Sequence, residues 1–459
     1  MAAQLTALVM AAGQGTRMKS ALPKVLHPVC GVPMIHWVVA AARAAGADRI
    51  VCVTRPGDGV AEAMPDGVES APQHEGEGTG SAVLAARAAL EESDTVVVLS
   101  GDVPLVAAET IAALVTAHRD EGAAATLLTT DALDPAGYGR IVRGADGSVE
   151  RIVETKRTEG VPPEVLAIRE VNIGTYAFDG PELVRALDRV VETDGERYLT
   201  GVFPELRAAG AKVAAHATED TLGAMGVNTR ADLMEVTRHA QRRILARHAR
   251  AGVTFTSPDS VEVDATVEIG ADTRVAGGVT LRGATRIGAR CAVGPHATLT
   301  DSELGDGVTL LHSVLVECHV AGGATIGPFA YLRPEADVRD GAKVGTFVEV
   351  KKSVIGAGAK VPHLSYIGDA DVGERANVGA GAITANYHRG VKSRTTIGRD
   401  ARTGVHTSFV APVRVGDAAY TGAGSVITED VPDGALAVSR TPQTNIEGYR
   451  ERIDQEQKR

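Results

Sequence analysis

At 459 residues the chain is too long for one ordinary core, and about one domain per 100–200 residues suggests two or three. Its 47 basic and 58 acidic residues give a net charge of −11, which disfavours nonspecific binding to nucleic acid or to an anionic membrane. Aromatics make up only 3% of the residues while glycine numbers 52, a pairing that asks where such a chain finds its core.

The first residues, MAAQLTALVMAAGQGTRMKS, hold too short an apolar run for a signal peptide and read as a first strand. No stretch approaches the roughly 18 apolar residues of a membrane span, so a cytoplasmic protein with no integral membrane segment is expected. Cys30, Cys52, Cys291 and Cys318 show no CxxC spacing and no histidines at zinc-ligand intervals, and read as free thiols.

From Leu5 to about Val227, short aliphatic runs alternate with amphipathic stretches. Strands are expected at Leu5–Met10, Arg49–Thr54 and Thr95–Leu99, with helices over Met34–Ala45 and Gly80–Leu90 between them. This alternation predicts a Rossmann-like α/β domain with a mainly parallel sheet, whose ligands bind beyond the carboxyl ends of the strands. Two loops follow strands, Ala11–Lys24 and Ser100–Pro104. The first contains Ala11-Ala12-Gly13-Gln14-Gly15-Thr16-Arg17, then Pro23-Lys24; its glycines allow backbone N–H groups close to phosphate, and Arg17 and Lys24 can neutralise it. Met18 stands where a dinucleotide fingerprint needs a third glycine, and no GK[ST] follows for a P-loop.

Thr229 to Arg250 carries Leu233, Val236, Ala240, Ile244 and Leu245 at helical spacing, predicting one connecting helix of about six turns. Its basic run reads as a solvated face. The boundaries expected are therefore 1–228, 229–250 and 251–459.

Beyond Gly252 the period becomes six. Aliphatic or substitute positions fall at Val263, Ile269, Val275, Leu281, Ile287, Val293 and Leu299, then at Ile326, Leu332, Val338, Val344 and Val350. They resume at Ile355, Val361 and Ile367, at Val372 and Val378, and from Ile397 through Thr403, Phe409, Val415 and Thr421 to Ile427. Each hexad makes one flat side of a three-sided coil, with the aliphatic residue inside and small residues at the corners. Such a core needs few aromatics and many glycines. The pattern breaks between Asn386 and Ile397, where a polar, basic segment too long for a corner leaves the coil.

The string AAGxGTRM with PKVLH behind it closely resembles the sugar-1-phosphate nucleotidyltransferases. With the hexapeptide coil it resembles the bifunctional GlmU family, from about Leu5 to Tyr449. The resemblance implies an N-acetylglucosamine-1-phosphate uridyltransferase domain, then a left-handed parallel β-helix with glucosamine-1-phosphate N-acetyltransferase activity. It also implies UTP and acetyl-CoA as co-substrates, Mg²⁺, a homotrimer, and a role in supplying peptidoglycan and other envelope polysaccharides. A related nucleotidyltransferase with another NTP or sugar and a weak or altered acetyltransferase is the alternative reading.

By the same resemblance Arg17 and Lys24 serve uridylyl transfer, and Asp102 in Gly101-Asp102-Val103-Pro104 holds the metal with Asn228. Nucleotide contacts fall at Ala11, Ala12, Gly13, Gln73, Gly78 and Thr79, and sugar contacts at Gly139, Glu154 and Asn172. In the coil, His363 matches the general base that takes the proton from the attacking amine. Arg333 and Lys351 match contacts to the phosphate of glucosamine-1-phosphate, and Tyr366, Asn377 and Lys392 contacts to the amino sugar. Asn386, Tyr387, Ala423 and Arg440 match contacts to acetyl-CoA, which in the family lies between subunits.

The chain departs from the family pattern at several of these sites. Gly76, Glu77 and Ser81 replace Gln, Leu and His, and Gly201 replaces Asp; weaker nucleotide and sugar affinity is expected. NYDG becomes Asn386-Tyr387-His388-Arg389-Gly390, and GSDT becomes Gly404-Val405-His406-Thr407. Val405 lacks the usual serine hydroxyl, so weaker acetyl-CoA binding is expected unless His406 or His388 takes over the contact.

Overall fold

The computed structural model describes residues 4–145, 147–155, 159–193 and 195–457. It divides into two compact units, Met1–Arg243 and Ile244–Arg459.

In the first unit the strand Leu5–Met10 lies between the parallel neighbours Arg49–Thr54 and Thr95–Ser100, and Glu69–Pro72 extends the sheet past Arg49–Thr54. On the other flank Val171–Asp179 runs antiparallel to both Thr95–Ser100 and Ala125–Thr130, and Val213–Ala217 closes the edge in parallel with the latter. A hairpin, Arg140–Arg143 with Val149–Val153, attaches at the start of Val171–Asp179. Side chains alternate between two cores: Leu8, Val51, Val53, Val96 and Val98 pack on one face, and Ala7, Val9, Cys52, Val97 and Leu99 on the other. Burial on both faces is why these strands read as unbroken aliphatic runs.

The stretch expected as one helix over Gly80–Leu90 is two, Thr79–Leu84 and Arg87–Glu91. The Ala85 amide is shared between the Ser81 and Ala82 carbonyls and the Ala86 amide bonds three residues back to Val83, so the last turn tightens and the α-ladder stops. The long helix is Arg230–Arg250. Thr229 and Asp232 form a reciprocal cap at its start: the Asp232 amide donates to the Thr229 hydroxyl, and the Asp232 carboxylate accepts from the amides of Asn228 and Thr229. No helix among the described residues is long and apolar enough to cross a membrane.

The second unit is a coil whose short strands stack into three parallel sheets, the arrangement of a left-handed parallel β-helix. Val263, Leu281 and Leu299 stack on one side, Ile269, Ile287 and Leu304 on the second, and Val275, Val293 and Leu310 on the third. Every hexad position predicted above is buried, each aliphatic worth about 1.5–3 kcal/mol. Leu304, Leu310, Leu315 and Val320 fill the gap in the sequence pattern; their steps of five and six residues hide the period. Corners are not all small, because His296, His312, Phe329, Phe347, Leu364 and His406 all turn with positive φ.

The four cysteines are buried and none is in a disulfide. Burial pushes the Cys52 thiol up to about 12 and the Cys318 thiol up to about 11, which leaves both inert.

Candidate functional site

In the first unit a cluster of charged and amide groups gathers beyond the carboxyl ends of Leu5–Met10 and Thr95–Ser100. The Lys24 ammonium donates to Asp102 Oδ2 at 2.5 Å and to Asn228 Oδ1 at 3.3 Å, and Arg17 donates to the same Asn228 oxygen at 2.8 Å. Each partner is placed by backbone. The Gly101 amide donates to the Met10 carbonyl at 2.9 Å, and a Cβ on Gly101 would stand only 2.9 Å from that oxygen. The Val227 amide donates to the Asp102 carbonyl, which sets Asn228 beside Asp102. Gly15 turns at φ +61°, and a Cβ there would lie 2.6 Å from Lys24 Cβ. Gly13 by contrast has nothing within 4 Å of its missing Cβ, so its backbone faces open space.

The Asp102 carboxylate and the Asn228 amide oxygen thus converge on one cation, here the Lys24 ammonium. An all-oxygen donor set of this kind suits a hard divalent ion that keeps water or phosphate as its remaining ligands. Among the described residues no group of three His, Cys, Asp or Glu side chains is placed to hold a metal alone.

Asp232, which the sequence reading passed over, fixes Asn228 from behind. Burial pushes its carboxyl up, but the amides of Asn228 and Thr229, the Thr229 hydroxyl and the Arg17 charge outweigh that and hold it below the usual range. The Thr-x-x-Asp spacing of a capping box was the available signal.

Gly139, Glu154 and Asn172 come together. A Cβ on Gly139 would lie 3.6 Å from Glu154 Oε1 and 3.7 Å from Asn172 Cβ, and the Asn172 amide donates to the Gly139 carbonyl. Asn172 Nδ2 donates to the Tyr176 hydroxyl at 2.8 Å. Buried Arg140 pins this turn through the carbonyls of Pro135 and Tyr138 and the Thr155 hydroxyl, a support the sequence alone did not mark. Gln73 closes its own loop by donating to the Gly76 carbonyl at 2.9 Å. The Thr79 hydroxyl accepts from the Leu199 amide, and a Cβ on Gly78 would stand 2.4 Å from the Arg197 carbonyl, so Arg197–Leu199 is latched against this loop.

In the coil, Arg333, Lys351 and Tyr366 share one face. Tyr331, Glu349, Tyr366 and Ile383 are successive cross-strand neighbours there, with Arg333 and Lys351 two residues along. Arg333 donates to Glu349 at 2.8 Å. The Tyr366 hydroxyl lies where a Cβ on Gly368 would be, 2.3 Å away, so only glycine admits the ring. His363 is exposed at the corner before this face, opposite Thr346 on the previous coil. Backbone bonds run down that corner from Gly381 to His363, His406 to Ala380 and Gly424 to Val405, so His363, Ala380, Val405 and Ala423 form one column. Arg440 donates to the Ala423 carbonyl at its foot. Asn377 lies off the Tyr366 face: it bridges Lys360 and Arg402 on the face whose strand Lys360–His363 ends at His363. Asn386 donates to Asp369 and opens a hairpin in which Tyr387 opposes Lys392.

A family described as MobA-like NTP transferase domain matches residues 7–171. Bifunctional protein GlmU of Brevibacillus brevis is 45% identical over 460 residues, covering 99% of each chain. GlmU of Mycolicibacterium vanbaalenii is 46% identical over 96% of this chain and 92% of its own, and that of Mycobacterium tuberculosis H37Ra 46% over 97% and 92%. The chain belongs to the bifunctional GlmU family. It is a transferase of UDP-N-acetylglucosamine synthesis with uridyltransferase and glucosamine-1-phosphate acetyltransferase activities, using UTP and acetyl-CoA.

Two departures from the GlmU pattern have neighbours that fit them. Gly76 turns at φ +76°, and a Cβ there would stand 2.8 Å from Ser81 Oγ, so the two substitutions occupy each other's space. A Cβ on Gly201 would be 2.7 Å from Cγ1 of buried Val190. Restoring the family residue with Gly201→Asp is therefore expected to destabilise the protein by about 1–3 kcal/mol in denaturant titrations, with Val190→Ala relieving the loss. Gly15→Ala should cost about 1–2 kcal/mol through its left-handed φ and also displace Lys24, lowering uridylyl transfer while sparing acetyl transfer in separate assays.

Proposed function

We propose that residues 1–228 carry uridylyl transfer, residues 251–459 carry acetyl transfer, and residues 229–250 join them, in a cytoplasmic homotrimer. The observation that carries the first assignment is the convergence of Lys24, Arg17, Asp102 and Asn228. The phosphate oxygen of N-acetylglucosamine-1-phosphate attacks the α-phosphorus of UTP, and pyrophosphate leaves. Such a reaction needs charge neutralisation and alignment rather than a protein nucleophile. Arg17 and Lys24 supply fixed positive charge, and the open backbone of Ala11-Ala12-Gly13 offers N–H groups to the triphosphate. Gln73, Gly78 and Thr79 frame the base, while Gly139, Glu154 and Asn172 hold the acetylated sugar. Asp102 and Asn228 would hold Mg²⁺, which would supply charge neutralisation at the phosphate oxygens.

In the coil, His363 accepts the proton that the amine of glucosamine-1-phosphate loses as its nitrogen bonds the acetyl carbon and the thiolate of CoA departs. Arg333 and Lys351 hold the sugar phosphate, and Tyr366, Asn377 and Lys392 the amino sugar. Asn386, Tyr387, Val405, Ala423 and Arg440 take acetyl-CoA. One chain spreads these residues over two faces and a hairpin, which supports a site completed by a neighbouring copy. An exposed stack supports such packing: His296, His312, Phe329 and Phe347 follow one another with ring centroids 5.1, 5.4 and 5.3 Å apart, and both phenylalanines are over half exposed.

The test is a reaction with glucosamine-1-phosphate, acetyl-CoA, UTP and Mg²⁺ scored by mass, on protein whose size is measured by sedimentation. UDP-N-acetylglucosamine, lost when any one component is omitted, and a trimer are expected. A fully active monomer, or nucleotidyl transfer indifferent to divalent ions, would contradict the reading.

A further inference from the structure

Arg17, Lys24 and Asn228 reach their cluster from three separate stretches of chain: the short turn Thr16–Met18, the short turn Lys24–Leu26 and the residues just before the helix Arg230–Arg250. Long cationic side chains are flexible, so the geometry of the cluster depends on how these stretches are held to one another.

The side chain of Arg230 ties all three. Its Nε donates at 3.3 Å to the carbonyl of Met18, the residue after Arg17, and its Nη1 donates at 3.2 Å to His27 Nδ1. His27 ends the turn that carries Lys24: its amide donates to the Lys24 carbonyl at 3.3 Å, and its own carbonyl accepts from the Met34 amide at 3.1 Å. Met18 is 1% exposed and His27 4%, so both acceptors belong to residues fixed in packed surroundings. Arg230 is fixed at its root, because the cap formed by Thr229 and Asp232 orders the first turn of its helix. A guanidinium suits the task, being a planar fork whose donors point in set directions and can hold two acceptors at once.

Two observations mark this contact as a device of the site. Among the described residues no carboxylate pairs with Arg230, whereas Arg238 and Arg243 further along the same helix pair with Glu235 and Asp220. The other is the state that His27 must adopt. A guanidinium can only donate, so Nδ1 accepts and the proton of the neutral ring sits on Nε2. Burial and then the Arg230 charge push the imidazole below its usual range, and the Leu22 carbonyl opposes them more weakly, so the ring stays neutral. Nε2 itself is buried with no properly formed hydrogen bond. A buried polar atom short of a partner costs stability, and an apolar residue would pack there without that cost. The bond that His27 accepts from Arg230 accounts for a histidine at this position.

We propose that Arg230 is a positioning residue for uridylyl transfer, forming with His27 a clamp that sets Arg17 and Lys24 against Asn228. This rests on the reading of the Lys24, Arg17, Asp102 and Asn228 cluster as the uridylyl-transfer site. The Arg230 side chain bonds none of the four, so its effect passes through the segments it joins.

The experiment measures pyrophosphate release by the full-length protein with UTP, N-acetylglucosamine-1-phosphate and Mg²⁺. It compares Arg230→Ala, Arg230→Lys, His27→Leu and the Arg230→Ala, His27→Leu double variant, with the melting temperature of each. Arg230→Ala is expected to lower kcat about 10–100-fold, the effect of a displaced catalytic group. The KM for N-acetylglucosamine-1-phosphate should not change, because Gly139, Glu154 and Asn172 lie on elements the clamp does not join. His27→Leu should lower kcat about fivefold without lowering the melting temperature, since leucine fills the buried position and removes the unsatisfied N–H. An ammonium cannot span both acceptors, so Arg230→Lys should recover only part of the rate. The double variant should be no slower than Arg230→Ala alone, because the two residues act as one unit. An unchanged kcat in Arg230→Ala overturns the proposal. So do losses that multiply in the double variant, or losses that come only with a lower melting temperature and a raised KM for the sugar phosphate. If Asp102→Asn also left uridylyl transfer intact, the site reading would fall too; with Asp102→Asn slowed, only the clamp fails.

Discussion

His363→Ala should lower acetyl transfer by about 10²–10⁴-fold, the usual worth of a positioned general base, and leave uridylyl transfer at its original rate. The side chain is exposed at a corner, and the bonds that build the corner use its backbone: its carbonyl accepts from the Gly381 amide and from the Ser365 hydroxyl at 2.8 Å. Alanine keeps those bonds, so the coil should melt unchanged and the loss should fall on kcat. Parallel assays of both half-reactions on one preparation check this. A fall in uridylyl transfer would mean that the substitution had damaged the chain as a whole.

Asp102→Asn should do the reverse, lowering uridylyl transfer by about 10²–10³-fold with acetyl transfer intact. The amide has nearly the carboxylate's shape, but it removes the charge that pairs with the Lys24 ammonium at 2.5 Å and leaves only a neutral amide oxygen beside that of Asn228. The Val227 amide still bonds the residue 102 carbonyl, so Asn228 stays in place. Raising Mg²⁺ should restore part of the rate, because an ion held by two neutral amide oxygens and the triphosphate binds more weakly. Half-reaction rates across a Mg²⁺ titration test both points.

The coil was legible because a buried stack repeats its demand every hexad, and an aliphatic residue answers nearly every time, with Thr403, Phe409 and Thr421 as substitutes. It blurred from Leu304 to Val320, where shortened corners change the spacing while the stacking continues. The large corner residues could not be read at all. Phe329 and Phe347 turn with positive φ because each stacks on the corner before it, a contact between residues a whole coil apart. In the first unit the strands and the glycine loop were plain, since burial on both faces and a turn after a strand are local signals. The break near Ala86 was hidden because alanine suits either outcome. Asp232 stood in a readable capping box, whereas Arg140 and the latch of Arg197–Leu199 on Gly78 depend on tertiary packing.

The central claim is that two separate sites on one chain act in sequence through a released intermediate. Its most direct test mixes the His363→Ala and Asp102→Asn proteins, each slowed at least about 100-fold at one of the two steps, and follows product by mass. The mixture should form UDP-N-acetylglucosamine after a lag while free N-acetylglucosamine-1-phosphate accumulates. A mixture as inactive as its components, or full conversion by either variant alone, would contradict it.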